Sequence, residues 1–134
     1  MTRQLARATG EPDDGPPMTS TQRFALFETG IAGPLRLTDL ADRIGTSAPT
    51  ASRAVDGLVD VGLLARLPDP EDRRAVRIDV TRRGRELLEA RKARAAEAIE
   101  PAIAELSGKD LDQLAALLTR LADSFGPRAS PKRA

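Results

Sequence analysis

The chain lacks several residue types on which most enzymes and metal sites depend. Its 134 residues include no cysteine, histidine, tryptophan or tyrosine, and only three phenylalanines. The absence of cysteine and histidine excludes disulfides, thiol redox chemistry and most zinc or iron sites, and it removes the commonest general base and the cysteine nucleophile. The scarcity of aromatic rings argues against binding of single strands by base stacking. We therefore predict a protein that is not an enzyme and that uses no cofactor or metal.

No apolar run approaches the roughly 20 residues that span a bilayer, and no signal peptide is visible. We therefore expect a cytoplasmic protein with no membrane partner. Hydrophobic residues make up 40% of the chain and charged residues 31%, which suits one packed domain. The net charge is only +1, but Arg36 to Arg94 hold 13 basic and 10 acidic residues, whereas the rest of the chain holds 8 and 10. This local excess is what a phosphate-binding surface requires.

The segment "TSTQ" at Thr19–Gln22 is a capping-box pattern, which predicts the start of a helix. This helix carries Phe24, Phe27 and Ile31 on one side and is predicted to end near Gly30–Pro34.

Two further helices follow at close spacing. In "LTDLADRIG", Thr38 is the predicted cap and Gly45 suits a left-handed C-terminal position. Ser47 caps the next helix, Pro49 occupies its first turn, and Gly62 ends it. Two short helices joined by a tight turn predict a helix-turn-helix.

The next segment alternates apolar and polar residues. Leu63–Leu67 and Arg74–Val80 are predicted strands, and Val76, Ile78 and Val80 share one face of the second strand. The loop "PDPEDR" between them predicts a β-hairpin.

Helices are predicted for the remainder of the chain. Thr81 caps a helix that begins at Arg82 and runs towards residue 100, where Pro101 is expected to kink or break it. A second capping box at Ser107–Asp110 begins the last helix.

The helix that begins after Ser47 separates into two faces on a helical wheel. The predicted buried face holds Ala48, Ala51, Val55, Leu58 and Val59. The predicted exposed face holds Pro49, Thr50, Arg53 and Gly57, with Ser52 on its flank. Small polar residues and free N–H groups at a helix N-terminus suit phosphate, and Arg53 can reach guanine or phosphate. Asp56 and Asp60 would repel phosphate, so only the first two turns are expected to contact DNA.

A hairpin beside a helix-turn-helix is a wing, and its arginines can reach a minor groove. Arg73 and Arg74 lie at its tip, and we expect Asp72 to pair with the Arg74 guanidinium and hold it in an aimed rotamer. Taken alone, the arginine pair is typical of an ordinary solvated turn, and the acidic residues of the loop are typical of solvated carboxylates.

Two other charged features have plain structural readings. Arg53 could simply pair with Asp56 or Glu28. The basic run Arg82–Arg94 reads as a charged helix face in which Glu86 forms pairs at helical spacing.

The ordered motifs from residue 19 to about residue 95 resemble the winged helix-turn-helix of the MarR family of bacterial transcriptional regulators. The matching stretches are "LTDLADRIG", "SAPTASRAVDGL", "GLLAR", "DPEDRRA", "VRIDVT" and "RRG". By that resemblance, the major groove is read by Ser47, Thr50, Ser52 and Arg53. By the same resemblance, Arg74 occupies the position of the wing-tip arginine that enters the minor groove, and Asp72 occupies the position of its acidic partner. The family implies a homodimer on a pseudo-palindromic operator that is often released by a small-molecule effector.

The last helix carries an apolar stripe with spacings of three and four, formed by Leu111, Leu114, Leu118, Leu121 and Phe125. A terminal helix with such a stripe must bury it, so we predict a dimer interface there. The family usually has a full helix before the one that begins at Thr19. Residues 1–17 are too short and too rich in glycine and proline to supply it, so dimerisation is expected to depend mainly on residues 82–125.

The predicted fold is mainly α with a small β-hairpin wing (α+β): a winged helix-turn-helix with C-terminal dimerisation helices. Its parts are a flexible leader (1–17), the DNA-binding region (18–81), the dimerisation helices (82–125) and a disordered basic tail (126–134). The predicted function is a ligand-responsive repressor that binds double-stranded DNA. The alternative is a winged-helix protein-interaction module that has lost operator binding.

Overall fold

The computed structural model describes residues 15–124, which form five helices and three short strands. The helices are α1 (Ser20–Ala32), α2 (Leu37–Ile44), α3 (Ala48–Asp60), α4 (Arg82–Ala104) and α5 (Gly108–Ser124), and the strands are β1 (Leu35–Arg36), β2 (Leu64–Pro68) and β3 (Val76–Val80). The chain divides into two compact units, Met1–Arg94 and Ala95–Ala134. The fold is a winged helix-turn-helix with further helices after the wing, as predicted.

Helix α1 begins with the predicted capping box. The Thr19 N–H donates to Gln22 Oε1 at 2.8 Å, and the Gln22 N–H donates to Thr19 Oγ1 at 3.2 Å. The helix buries Ala25, Leu26 and Thr29. The predicted stripe of Phe24, Phe27 and Ile31 lies on the other side of the helix and stays exposed. The contribution of α1 to the core therefore comes from Ala25, Leu26 and Thr29 and not from its large aromatic side chains.

Helix α2 begins two residues earlier than predicted, at Leu37 rather than Asp39, and the expected cap at Thr38 is wrong. The N-cap is Arg36, which makes no side-chain capping bond. Arg36 is also the last residue of β1, so the chain turns from strand to helix without a capping residue between them. The other end is as predicted, because Gly45 closes the helix in the left-handed region with φ +68°.

The three strands form an antiparallel sheet in the order β1-β3-β2. The predicted hairpin is confirmed, with strand bounds shifted by one or two residues. Strand β1 was not predicted, because two residues give no alternation to detect. On β3, Ile78 and Val80 are buried, whereas Val76 near the loop is 46% exposed. The distal half of the hairpin therefore extends beyond the core.

Helix α3 has the predicted two faces, with three corrections. Ala48 is exposed rather than buried, and Ala54 joins the buried residues. Gly57 does not lie on the open face: a Cβ there would clash with the Gln22 amide of α1. Glycine at this position lets the two helices approach closely.

The core of the first unit contains side chains from α1 to α4. Its buried cluster comprises Ala25, Leu26, Leu40, Ala54, Val55, Leu58, Leu63, Leu64, Ile78, Val80 and Leu87. Thr81 begins α4 as predicted: its Oγ1 accepts from the Gly84 N–H at 3.0 Å and donates to the Gly62 carbonyl at 2.6 Å. The first turns of α4 are thereby fixed to the end of α3.

The second unit contains the end of α4 and all of α5. The expected break at Pro101 is wrong, since α4 continues to Ala104; proline removes only one backbone donor, and little helix follows it. Ser107 caps α5 as predicted, accepting from the Asp110 N–H at 3.2 Å. The predicted leader up to residue 14, Phe125 and the predicted tail lie outside the described residues. Among the helices of residues 15–124, none is long and apolar enough to cross a membrane.

Candidate nucleic-acid interface

The N-terminal end of α3 forms an open polar surface. Ser47 Oγ accepts from the Thr50 N–H at 3.3 Å and donates to Thr50 Oγ1 at 2.9 Å, which orients both hydroxyls around the first turn. Pro49, Thr50 and Arg53 are exposed, and Ser52 is half-buried on the flank. A helix N-terminus with exposed N–H groups and small side chains can approach a phosphate or the floor of a groove.

Arg53 projects from this surface without an ion pair among residues 15–124, because its two candidate partners are engaged elsewhere. Asp56 pairs with Arg66 of β2, and Glu28 pairs with Arg43 of α2 at 3.5 Å. The guanidinium of Arg53 is thus free to contact an external acceptor. The Asp56–Arg66 pair also offsets the acidic charge further along α3 and connects α3 to the wing.

The tip of the wing is a tight turn that presents Arg73 and Arg74. The Ala75 N–H donates to the Asp72 carbonyl at 3.0 Å, which closes the turn around the two arginines. Asp72 Oδ1 accepts from the backbone N–H of Arg74 at 2.9 Å. This corrects the prediction that Asp72 would pair with the Arg74 guanidinium: the carboxylate shapes the turn and leaves the guanidinium to solvent. Both arginines are exposed.

The base of the wing contains a buried carboxylate that the sequence did not reveal. The side chain of Asp69 has no exposed surface, and its Oδ2 accepts from Arg36 Nε at 2.7 Å and from Arg77 Nε at 3.2 Å. Its Oδ1 accepts from the Glu71 N–H at 2.9 Å. The reading of the loop acids as solvated is therefore wrong for Asp69.

These bonds shift the titration of the cluster. The hydrogen bond from Arg36, followed by the one from the Glu71 backbone, holds the pKa of Asp69 well below its ordinary value. The same hydrogen bond raises the pKa of Arg36.

Sequence reasoning missed Arg36, Arg66 and Arg77. The sequence offered one signal for these residues: Arg77 is a charged residue between the apolar positions Val76 and Ile78 of β3.

Acid is expected to destabilise the protein through Asp69. Because the pKa is lowered by folding, the stabilisation is complete above the unfolded value of about 3.9 and is lost as pH falls from there through the folded-state pKa. Asp69→Asn should therefore flatten the pH dependence of the free energy of unfolding below about pH 5. Urea unfolding of both proteins across this range checks the prediction, and parallel curves would contradict it.

The basic start of α4 is occupied by internal contacts. Arg82 Nε donates to Glu86 Oε1 at 2.9 Å, one helical turn away, as predicted for a charged helix face. Arg83 Nη1 donates to the Val61 carbonyl at 3.1 Å and so contacts the end of α3.

Comparisons with known proteins agree with this architecture. The model of the MarR family matches residues 18–76. YxaD of Bacillus subtilis, described as an uncharacterized HTH-type transcriptional regulator, is 30% identical over 93 residues, which cover 69% of this chain and 65% of YxaD.

Two solved structures are similar over most of both chains. A probable transcriptional regulator from Pseudomonas aeruginosa is 32% identical with a TM-score of 0.58, and the match covers 89% of this chain and 86% of that one. MepR of S. aureus, solved bound to ethidium bromide, is 25% identical with a TM-score of 0.71, and the match covers 92% and 89%.

A helix-turn-helix followed by a β-hairpin wing is the fold of the winged-helix class of transcriptional regulators. Within that class, the chain belongs to the MarR family, as the sequence motifs indicated. The family consists of regulators and not of enzymes, so the prediction that the chain is not an enzyme is confirmed.

Proposed function

We propose that this protein is a sequence-specific repressor that binds a pseudo-palindromic operator as a homodimer and is released by a small-molecule effector. The observation that carries the proposal is the exposed N-terminal surface of α3, with the free guanidinium of Arg53, in the same unit as the arginine turn of the wing. The N-terminal surface of α3 enters the major groove, and the arginine turn of the wing enters the minor groove. Such a regulator acts in the cytoplasm, where its DNA lies.

Dimerisation through the C-terminal helices is supported by apolar surface that one chain leaves uncovered. No described residue of α5 is buried. Of the predicted interface, Leu114, Leu118 and Leu121 are 39%, 54% and 53% exposed, and Leu117, which was not predicted, is 50% exposed. Contiguous apolar surface of this kind marks an interaction site. A two-fold dimer would place two copies of α3 about 34–36 Å apart, one turn of B-DNA.

Effector binding is supported by an open pocket of about 310 Å³ at the start of α4. Leu63, Leu87 and Ala90 form its apolar wall, and Arg83 and Glu86 its polar rim. Arg83 also bonds to the end of α3, so a ligand in this pocket would act next to the recognition helix. The ethidium complex of MepR supports a small organic effector.

Selection of bound duplexes from a random pool, followed by anisotropy titration at several salt concentrations, tests the proposal. We expect a two-fold symmetric sequence, nanomolar affinity and a steep decrease of log K with log salt. Weak binding without an enriched sequence would contradict operator recognition.

Arg74→Ala is expected to weaken binding by about tenfold, or 1.4 kcal/mol, at operators with an A·T-rich segment under the wing. The physical reason is that a narrow A·T minor groove concentrates negative potential, which an inserted guanidinium neutralises. The measurement is the ratio of affinities for duplexes with A·T or G·C pairs at that segment. If Arg74→Ala leaves this ratio unchanged, the wing does not take part in recognition of the operator.

A second function, a protein-interaction module, is favoured by one observation. Phe24, Phe27 and Ile31 leave an apolar stripe on α1 that is 53–65% exposed. Sedimentation at micromolar concentration distinguishes the two functions, because a monomer supports the module and a dimer supports the repressor.

A further inference from the structure

The sheet register places two arginines opposite each other at the base of the wing. Arg36 of β1 is the cross-strand partner of Arg77 of β3. Like charges in directly opposed positions destabilise a sheet. Asp69 resolves this conflict, because its Oδ2 accepts from both Nε atoms, at 2.7 and 3.2 Å.

The same residue closes the loop that carries the wing tip. The Asp69 N–H donates to the Ala75 carbonyl at 3.1 Å, on the far side of the arginine turn. Its Oδ1 accepts from the Glu71 N–H, so the carboxylate also fixes the first turn of the loop. One buried residue thus connects β1, which leads directly into α2, with both ends of the wing loop: its side chain bonds to Arg36, Arg77 and the Glu71 N–H, and its backbone N–H bonds to Ala75.

Apolar packing does not hold the distal half of the wing in place. Leu67 and Val76, the large apolar side chains beyond the core end of the hairpin, are 41% and 46% exposed. A hairpin without packing at its distal half is free to twist and splay about its base. The ionic cluster at Asp69 opposes this motion at the base of the wing, in addition to the Asp56–Arg66 pair between α3 and β2.

Compared with apolar groups of the same shape, a buried carboxylate between two arginines adds little net stability, because desolvation offsets much of the Coulomb attraction. Removing its charge alone is destabilising, because the arginines then lose their buried partner. In some proteins, such a buried ionic group specifies one geometry among several. Here the geometry is the angle between the wing and the helix-turn-helix, on which simultaneous contact with two adjacent grooves depends.

We propose that Asp69, with Arg36 and Arg77, is a positioning residue for minor-groove recognition. It fixes the angle at which the wing presents Arg73 and Arg74. The inference rests on the proposed function, in which the wing tip enters the minor groove.

The test compares Asp69→Asn with Asp79→Asn in the full-length protein. Asparagine keeps the size and the bond to the Glu71 N–H but removes the buried negative charge between Arg36 and Arg77. The exposed carboxylate of Glu71, 4.0 Å from Arg77 Nη2, remains. Asp79 is the matched control, a carboxylate on β3 that pairs with Arg85 of α4 at 3.6 Å, away from the wing loop.

The probes are the selected operator, the same duplex with G·C pairs under the wing, and the same duplex with a changed base at the α3 contact. Asp69→Asn is expected to reduce the A·T preference under the wing by about fivefold to tenfold while the preference at the α3 contact stays. Adding Arg74→Ala to Asp69→Asn should cause no further loss. Asp79→Asn should behave as the unchanged protein does.

A purely structural role of Asp69 would show a different pattern. Asp69→Asn would then keep the full A·T preference, whatever its effect on the midpoint of urea unfolding, and lose it only when Arg74→Ala is added; this result overturns the inference. If Asp69→Asn fails to fold, Arg36→Gln, which leaves Asp69 paired with Arg77, is subjected to the same cycle with the same criteria. If Arg74→Ala has no effect in the otherwise unchanged protein, the wing role itself fails, which is a separate outcome.

Discussion

Arg53→Ala is expected to weaken operator binding by about 1–3 kcal/mol for each half-site, so that a dimer with both sites altered binds far more weakly at physiological salt. Arg53 lies in the second turn of α3, exposed and without an ion pair in the described part of the chain. The two carboxylates considered as its partners, Asp56 and Glu28, are held by Arg66 and Arg43. Alanine therefore removes the proposed contact to DNA without releasing an internal carboxylate.

The measurement is an anisotropy titration of the selected operator and of duplexes with each base pair changed. A base contact predicts that the preference at one position is relaxed, whereas a phosphate contact predicts uniform weakening with a salt slope reduced by about 1. Arg82→Ala is the matched control, because it removes the same charge from a residue paired with Glu86. If Arg53→Ala leaves both affinity and sequence preference unchanged, the proposed major-groove role of Arg53 is wrong.

Gly84→Ala is expected to destabilise the folded protein by about 1–3 kcal/mol or more. A Cβ at this position would lie far inside contact distance of the Leu63 carbonyl and 2.7 Å from Val80 Cγ1. The first obstacle is backbone at the start of β2, which cannot rotate away as a side-chain tip can. Helix α4 would have to shift from the sheet, and the bond from Thr81 to Gly62 would be strained with it.

Urea unfolding monitored by circular dichroism measures this effect. Gly108→Ala is the matched control, since a Cβ there meets no atom within 4 Å and alanine favours a helix over glycine. We expect Gly108→Ala to be neutral or slightly stabilising. An equal midpoint for Gly84→Ala and the unchanged protein would show that α4 is not seated as closely as the structure has it.

Local signals in the sequence were sufficient for most of the helix starts. Thr19, Ser47, Thr81 and Ser107 all cap helices as predicted. Each cap joins residues three positions apart, so the pattern of side chains contains the whole interaction. The failed cap at Thr38 illustrates the limit, because the start of α2 is set by β1, whose pairing with β3 no local pattern reveals.

The base of the wing could not be predicted for the same reason. Asp69 contacts Arg36 and Arg77, which are 33 and 8 positions away in the sequence. An acid in a loop with proline usually stays in water, and nothing local distinguishes it from its neighbours Glu71 and Asp72. Only the sheet register brings the two arginines together and gives the carboxylate a reason to be buried.

The sequence by itself determined the family, the order of the helices and of the two hairpin strands, most of the two faces of α3 and the apolar stripe of the last helix, because each depends on spacings of a few residues. The tertiary structure decided which charges pair and which stay free. It engages Asp56 and Glu28 elsewhere and so leaves Arg53 open, it uses Asp72 to shape a turn, and it buries Asp69. Ion pairs form between residues that folding brings within a few ångströms, and Coulomb energy depends on that distance and on burial rather than on position along the chain.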